Sequence, residues 1–304
     1  MPFRQPKSRP AASRRLRLAA TLVTASFALG GVAAASAAAD VVEVKLTAKH
    51  KKVKIAPGVH MKAWTFNGTV PGPVVRADVG DTVEVRLHNA DQHMAHSVDF
   101  HAAQVSPQVV FRDVAPGATE TVSFEVNQPG VFLYHCGTSP VLQHIGMGMY
   151  GAIIVDPIGG RPPANETVLV QSEFYGKLKN KGKTLKSSYK AMRTKDPKYT
   201  AFNGKAFRYQ RHPIDVEVGE PQRVYVVAAG PTLGSDFHVV GEIFDAVQVD
   251  GNPANVLTGV STYGVPAGGA SLFELTFDEP GSYPFVTHAF RWADAGALGL
   301  FRAE

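Results

Sequence analysis

One short stretch of the sequence combines residue types that bind soft metal ions. Residues 132–149 read FLYHCGTSPVLQHIGMGM and contain Cys136, the only cysteine of the 304-residue chain. His135 precedes this cysteine directly, His144 follows eight residues after it, and Met149 lies five residues further on. A thiolate, imidazoles and a thioether are all metal ligands, so the stretch is a candidate metal-binding loop.

The loop contains all but one of the ligands of a known type of copper site. Two histidines and one cysteine in a roughly trigonal arrangement, with a weak axial methionine, form a blue-copper electron-transfer site. The loop from Cys136 to Met149 supplies three of these ligands, and Met147 competes with Met149 for the axial position. The missing histidine must come from a neighbouring strand, and the upstream candidates are His88, His93, His96 and His101.

The stretch MAHSVDFHAA decides between these candidates if it forms a strand. Side chains alternate along a strand, so His96 would point to one face while Asp99 and His101 point to the other. The same alternation separates His135 from Cys136. One face then collects His96 and Cys136 and completes a blue-copper site, and the other face collects His101 and His135 beside Asp99 as a second site.

The second site needs a third protein ligand. Two imidazoles alone bind a metal poorly, and catalytic copper or zinc usually has three protein ligands and an open position. In the second half of the chain, His288 lies in VTHAF, soon after a strand that resembles the one before Cys136. The other histidines of this half are His212 and His238, and the half contains no cysteine for a blue-copper centre of its own.

The elements that position these residues are predicted to be β-strands. Apolar residues make up 44% of the chain and charged residues 19%, and its 29 glycines and 21 prolines suit short strands joined by tight turns. In the first half, β-branched and aromatic residues alternate with polar ones in four segments, at 41–48, 80–89, 118–126 and 130–136. The composition indicates an all-β fold.

The second half repeats the first in the same order. The repeated motifs are FNG at 66–68 and 202–204, VGD or VGE at 79–81 and 218–220, and Pro-Gly strand starts at 128–132 and 279–283. These repeats predict two tandem Greek-key β-sandwich domains. We place the first at 40–157, a Pro- and Gly-rich linker at 158–164 and the second at 165–304. Residues 177–198, rich in lysine, are expected to be a solvated insertion without strands, with at most a short helix and with no catalytic role.

The N-terminus is predicted to be an export signal. Residues 1–39 contain six basic and no acidic residues, then an alanine-rich apolar run that ends in Ala37-Ala38-Ala39. Cleavage after Ala39 fits this pattern better than retention of 18–38 as a membrane anchor, and Arg14-Arg15 partly matches a twin-arginine signal. Residues 40–304 carry 25 basic and 26 acidic residues, which argues against nucleic-acid binding.

Five motifs in one order carry a family resemblance. They are HSVDFHAA, YHC-x7-H-x4-M before YGAIIV, FHVVGEIFD at 237–245, VPAGG at 265–269 and VTHAF-x5-GALG at 286–299. In this order they resemble the two-domain copper nitrite reductases over nearly all of the chain after residue 39. The resemblance is greatest to the subgroup with the shorter loop between cysteine and histidine.

The resemblance implies a homotrimer of paired cupredoxin domains with two copper sites per subunit. Type 1 copper would be bound by His96, Cys136, His144 and Met149, because the H-x4-M spacing usual in cupredoxins favours Met149 over Met147. Type 2 copper would be bound by three histidines of two subunits: His101 and His135 of one and His288 of its neighbour.

The same resemblance assigns the remaining site residues. Asp99 and His238 match the catalytic acid pair of the family, and Val240 falls where the family places an aliphatic residue in the nitrite pocket. The implied reaction is one-electron reduction of nitrite to nitric oxide in an exported protein, with the electron supplied by a separate cupredoxin or c-type cytochrome. After Ala103 the chain departs from the glycine-rich continuation usual in the family and reads QVSPQ.

Two other functions fit parts of the pattern. A small laccase-like multicopper oxidase needs His-x-His motifs, and this chain has none. An electron carrier or copper-binding cupredoxin would use the type 1 site alone and leave Asp99, His101, His135 and His238 without a role. The remaining histidines are expected to be structural or surface residues: His50, His60, His88, His93 and His212.

Overall fold

The computed structural model describes residues 39–304, which form one compact unit. The expected export signal at 1–39, its twin-arginine pair and the alternative anchor at 18–38 lie outside the described residues, except for Ala39 at the boundary. Within the described part of the chain, no helix is both long and apolar enough to span a membrane.

Strands dominate the described residues, which confirms the all-β prediction. The strands of the first half are β1 (Val41–Ala56), β2 (Val59–Phe66), β3 (Val75–Asp78), β4 (Thr82–Asn89), β5 (Asp99–Phe100), β6 (Thr119–Glu125), β7 (Gly130–His135) and β8 (Tyr150–Asp156). Two short helices interrupt them, α1 (Pro107–Val110) and α2 (Val141–Gly146). No strand or helix lies between Asp156 and Asn165, where the sequence predicts the linker.

The second half adds the remaining strands, which are β9 (Asn165–Phe174), β10 (Gly176–Lys179), β11 (Thr184–Ser187), β12 (Tyr199–Phe202), β13 (Ile214–Val216), β14 (Pro221–Gly230), β15 (Ser235–Val239), β16 (Ala246–Val249), β17 (Val256–Leu257), β18 (Thr262–Val265), β19 (Ala270–Thr276), β20 (Gly281–Thr287) and β21 (Leu298–Ala303). Its helices are α3 (Tyr189–Arg193), α4 (Arg208–Arg211) and α5 (Phe290–Ala293).

The strands form two pairs of sheets. The first pair has the orders β10-β11-β2-β1-β4-β6 and β3-β8-β7-β5, and the second has β12-β9-β14-β19-β16-β17 and β13-β21-β20-β15-β18. Alternate side chains of each strand point inward, so Leu46, Val85 and Phe100 meet in one core and Val226, Phe237 and Phe273 in the other.

A third core joins the two halves. Leu133 and Ile154, from β7 and β8, pack against Val170, Tyr225 and Leu272, from β9, β14 and β19. β8 is buried along nearly its whole length because one face meets its own sandwich and the other meets the second half. This contact fixes the sheet that carries His135 against the rest of the chain.

The repeated FNG motif has the same geometry in both halves. Asn67 and Asn203 both have positive φ, and each precedes a glycine with positive φ, as a tight Asn-Gly turn requires. The amide of Asn67 accepts from Thr47 N–H and donates to the carbonyl of Lys45. Asn203 makes the matching bonds to Val170 and Val168 on β9. The repeat seen in the sequence is therefore a structural repeat.

Two local predictions were wrong. Residues 177–198 are not a strandless insertion, since β10 and β11 form a hairpin whose second strand pairs in parallel with β2. Leu185 explains this, because its side chain is buried in a core cluster with Met61. The stretch MAHSVDFHAA is not one strand either, since only Asp99 and Phe100 pair with β7, and His96 makes an isolated bridge to Val114.

Candidate metal centres

The first ligand cluster lies where β7 ends. Cys136 follows the last residue of this strand, His144 lies on α2, and His96 enters from the segment before β5. One ligand atom of each residue lies within 4.8 Å of the others, and all three side chains are buried. Among the upstream candidates the structure therefore brings His96 to the cysteine, whereas His93 is exposed.

Hydrogen bonds orient the two imidazoles of this cluster. His96 Nε2–H donates to the buried carboxylate of Asp91 at 3.1 Å, and its Nδ1 lies 3.9 Å from Cys136 Sγ. His144 Nδ1–H donates to the carbonyl of Pro140 at 3.2 Å. The other ring nitrogen of His144, Nε2, is buried and has no hydrogen-bond partner among the described residues. Each ring thus keeps one lone pair available for a metal ion.

Burial controls the protonation of the cluster. It lowers the pKa of His96 and of His144, so both rings are neutral near pH 7. Burial raises the pKa of the Cys136 thiol, although hydrogen bonds from Ser97 and Thr138 oppose this effect. Because a metal binds the thiolate, metal binding at this cluster must release a proton.

The two methionines of the loop occupy different surroundings. Met149 is fully buried in the same core as Cys136, and its carbonyl accepts a hydrogen bond from Cys136 N–H at 3.1 Å. Met147 packs against Tyr175 and Met192 in a separate cluster. The assignment of Met149 as axial ligand, in preference to Met147, stays a prediction.

The second cluster lies on the opposite side of the end of β7. Asp99 and His135 are paired residues of β5 and β7, and His101 follows in the next turn. His101 Nε2 lies 3.1 Å from His135 Nε2, and Asp99 Oδ2 lies 3.9 Å and 3.8 Å from the two. His135 Nδ1 bonds the carbonyl of Cys136, so its Nε2 lone pair faces His101. Burial lowers the pKa of His135.

His238 and His288 lie together, apart from the second cluster. Their ring centroids are 5.4 Å apart, and His238 Nδ1–H donates to the carbonyl of Ser261 at 2.6 Å. The cluster of Asp99, His101 and His135 contains no ligand atom from His288. Within one chain the predicted type 2 residues therefore form two separate groups.

Two exposed apolar residues lie close in sequence to the group of His238 and His288, and one of them contacts it. Val240, the residue directly after β15, is 44% exposed. Phe290 is 55% exposed, and the centroid of its ring lies 4.9 Å from that of His288. The turn at 265–269 of the same chain approaches His101, since a Cβ at Gly268 would lie 3.7 Å from His101 Cε1. The second group thus forms an open face with two imidazoles.

Comparison with known proteins identifies the family of this arrangement. Two multicopper oxidase family models match residues 47–159 and 180–304. The copper-containing nitrite reductase of Neisseria meningitidis is 41% identical over 270 residues, which cover 86% of this chain and 69% of that protein. The chain belongs to the copper-containing nitrite reductases. The sequence resemblance is confirmed, and with it the expectation of copper cofactors.

Two further copper nitrite reductases show that the likeness extends over the whole described part. The enzyme of Neorhizobium galegae is 30% identical over 310 residues, covering 94% of this chain and 81% of that protein. The copper nitrite reductase structure from Nitrosomonas europaea has a TM-score of 0.80 and 38% identity, and covers 87% of this chain and 94% of that chain. These relatives confirm the two-domain cupredoxin fold for this member of the copper-containing nitrite reductases.

Several residues of this copper-containing nitrite reductase contact the candidate ligands and were not predicted from the sequence. Asp91 Oδ2 accepts from His96 and, at 2.7 Å, from His50, which had been expected to have no role beyond structure or surface. The ring of Trp64 lies 4.8 Å from that of His144. The ring of Phe111 packs against Gly137. The sequence shows only an acidic residue five positions before His96; the burial that makes a partner necessary for this carboxylate is visible in the structure alone.

Proposed function

We propose that this protein reduces nitrite to nitric oxide and water, using one electron and two protons. One observation carries the proposal. His135 and Cys136 are adjacent in the chain, yet their side chains belong to two different ligand clusters on opposite sides of the end of β7. The peptide bond between them connects the clusters directly. A protein that only carries electrons has no need of the second cluster.

The residues present fit copper at the first cluster. His96, Cys136, His144 and Met149 provide the two imidazoles, thiolate and thioether of a type 1 site. Among residues 39–304 the buried Nε2 of His144 has no hydrogen-bond partner, which is costly unless a ligand such as a metal ion binds it. We therefore assign the type 1 copper to these four residues.

The second cluster fits a catalytic metal in which one position stays open. His101 and His135 direct two Nε2 atoms at the same space, and a third imidazole is needed. We propose that His288 of a neighbouring subunit supplies it, because His288 lies outside the cluster of its own chain and on an open face. This assignment includes the proposal of a homotrimer.

Bound copper at the second cluster supplies an open coordination position for nitrite and the reducing electron. Asp99 and His238 are proposed to supply the two protons. The Asp99 carboxyl group lies beside the two ring nitrogens, so its Oδ2 can take up a proton from solvent and pass it to a nitrite oxygen held there. His238 Nδ1–H donates to the Ser261 carbonyl, so Nε2 points away from that bond. After Nε2 has taken up a proton from solvent, the imidazolium can donate it to nitrite as the second proton. Val240 is proposed to bound the nitrite pocket on this face.

The proposal includes location and electron supply. We propose that the protein is exported with cleavage after Ala39, and that a separate redox protein delivers the electron to the first cluster. N-terminal sequencing of the mature protein should begin at Asp40. A mature protein that begins before Leu18 would contradict cleavage.

Copper analysis and nitric oxide detection test the function. The copper-loaded protein should contain two copper ions per chain, and electron paramagnetic resonance should show type 1 and type 2 signals in equal amounts. Nitric oxide should form only when nitrite and a reductant are both present. Cys136→Ala should remove the type 1 signal and keep the type 2 signal. One copper per chain at saturation would favour an electron carrier instead.

A further inference from the structure

The charge of this protein is distributed very unevenly. Residues 49–62 contain five lysines and residues 176–195 contain seven lysines and one arginine, and neither segment contains an acidic residue. The rest of the chain after residue 39 has 12 basic and 26 acidic residues. A nearly neutral molecule therefore has two strongly positive segments on an otherwise acidic chain.

The fold brings these two segments together. Residues 49–62 include the second half of β1 and the first half of β2, and residues 176–195 include β10, β11 and α3. β11 pairs with β2 through Thr184–His60 and Leu185–Met61. The positive charge is thus concentrated at one end of a single six-stranded sheet. A concentration of one sign of charge attracts partners of the opposite sign and orients their approach.

A groove lies between the two segments. It has a volume of about 430 Å³, and Lys62, Lys179 and Lys186 are its charged walls. Trp64 and Met147 line it as well, so lysines surround an apolar floor. We call it the lysine groove. Charged walls around an apolar centre are typical of protein-docking surfaces.

The floor of the lysine groove reaches the first ligand cluster. The ring of Trp64 lies in the groove and contacts the ring of His144, with centroids 4.8 Å apart. The same indole lies 6.1 Å from the ring of His96. A partner seated in the groove is therefore separated from a type 1 ligand by one aromatic side chain.

We propose that the lysine groove is the docking surface for an acidic redox protein that donates electrons to the type 1 site. The proposal rests on the function proposed above and specifies the chemistry of the partner. In the step, the reduced one-electron metal centre of the partner loses one electron and the type 1 site gains it, with no bond or proton exchanged. Charge complementarity accelerates the encounter, and the apolar floor seats the partner beside Trp64.

Stopped-flow reduction of the copper-loaded protein tests the docking surface. The probe is a reduced plant-type ferredoxin, which is acidic and of low potential, so that electron transfer is downhill. We expect the second-order rate of bleaching of the type 1 absorption to fall about tenfold or more between low and physiological salt, because salt screens the attraction. Basic mitochondrial cytochrome c, in its reduced form, should react more slowly at low salt.

A charge-matched pair of variants separates a local effect from net charge. Lys62→Glu/Lys186→Glu should lower the ferredoxin rate about tenfold or more at low salt. Lys45→Glu/Arg86→Glu makes the same change in net charge on exposed positions of β1 and β4 outside the groove, and should change the rate less than about twofold. Both variants should keep the type 1 absorption band, which shows that the copper site is intact.

Failure of the docking proposal and failure of the nitrite reductase proposal would give different experimental results. Equal ferredoxin rates in both double variants, or a faster reaction with cytochrome c, would overturn the docking surface. Binding to phosphatidylserine vesicles without any effect of the variants on the ferredoxin rate would assign the groove to a membrane instead. Nitrite turnover driven by reduced viologen dye needs no docking, so its absence from the unmodified protein would contradict the nitrite reductase proposal alone.

Discussion

At the scale of single residues, Asp91 supports the first ligand cluster through its hydrogen bond to His96. Its buried carboxylate fixes the tautomer and ring orientation of His96, and bonds from His93 N–H and His96 hold the pKa of Asp91 below its usual value although burial opposes this. A carboxylate that orients a ligand imidazole also raises the basicity of that ligand. We infer that Asp91 is a positioning residue of the type 1 site.

Substitution of Asp91 tests this role. Asp91→Asn removes a negative charge near the metal, which should raise the reduction potential of the type 1 copper by on the order of 60 mV, equivalent to a tenfold change for a one-electron couple. Spectroelectrochemistry measures the potential. His93→Ala is the control, since only the backbone N–H of this exposed residue contacts Asp91. Equal potentials in both variants would exclude an electrostatic role for Asp91.

Asp99 has a different role at the second cluster. Asp99 Oδ2 lies nearly 4 Å from a ring nitrogen of His101 and of His135. At this distance Asp99 can deliver a proton to a nitrite ion held between the imidazoles, although it is not a predicted metal ligand. Asp99→Asn should keep both coppers and lower nitrite turnover about 100-fold or more, in the range of lost general acid catalysis. Steady-state nitric oxide formation and copper content measure these effects. The exposed Asp278→Asn should turn over normally; normal turnover in Asp99→Asn would remove Asp99 from the mechanism.

At the scale of elements, the two FNG turns differ in what surrounds their glycines. Gly68 and Gly204 both have positive φ, which alanine adopts only with strain. A Cβ at Gly68 would meet the flexible end of Lys49 at 3.0 Å, whereas a Cβ at Gly204 would lie 1.9 Å from the backbone oxygen of Val70. The FNG motif of the first half therefore forms a simple turn. The FNG motif of the second half forms a turn that also packs tightly against the backbone of the first half.

Alanine substitutions should reveal this difference in the free energy of unfolding. Gly68→Ala should cost about 1 kcal/mol, the price of left-handed backbone alone. Gly204→Ala should cost about 2 kcal/mol more, because the backbone of Val70 must move to admit the methyl group. Denaturant unfolding of the metal-free proteins measures both values. Equal losses would mean that the contact between Gly204 and Val70 contributes nothing to stability.

At the scale of the whole molecule, the type 2 residues divide into two groups that one chain does not bring together. His101 and His135 form one group, and His238 and His288 the other. If a neighbouring subunit completes the site, a chain defective in one group can be rescued by a chain defective in the other.

Coexpression of two inactive variants tests this arrangement. His135→Ala and His288→Ala should each lose type 2 copper and nitrite turnover. In randomly mixed oligomers about a quarter of the interfaces join two intact groups, so about a quarter of the type 2 signal should return. Electron paramagnetic resonance and nitric oxide formation measure the recovery. A mixture as inactive as its components would place the whole site within one chain.

The sequence by itself determined the all-β fold, the internal repeat and the chemistry of the ligands. These are local properties: alternation of side chains, turn residues and ligand types with short spacings can be read from neighbouring positions. Adjacent residues at the end of β7 face opposite ways, so the separation of His135 from Cys136 was also predictable. The alternation argument placed His96 on the side of Cys136, and the structure brings these two residues together although most of the stretch is not a strand. Asp99 and Phe100 are the residues of the stretch that pair with β7.

Only the tertiary structure decided which distant residues join these local features. Polar and apolar residues alternate too little in 177–198 to predict a strand. The segment nevertheless forms the hairpin of β10 and β11, because Leu185 packs in one core cluster with Met61, which is distant in the sequence. Contacts between residues that are distant in sequence likewise place three further side chains around the ligands: Asp91, His50 and Trp64. Such contacts depend on the packing of the whole core, and no short window of sequence contains that information.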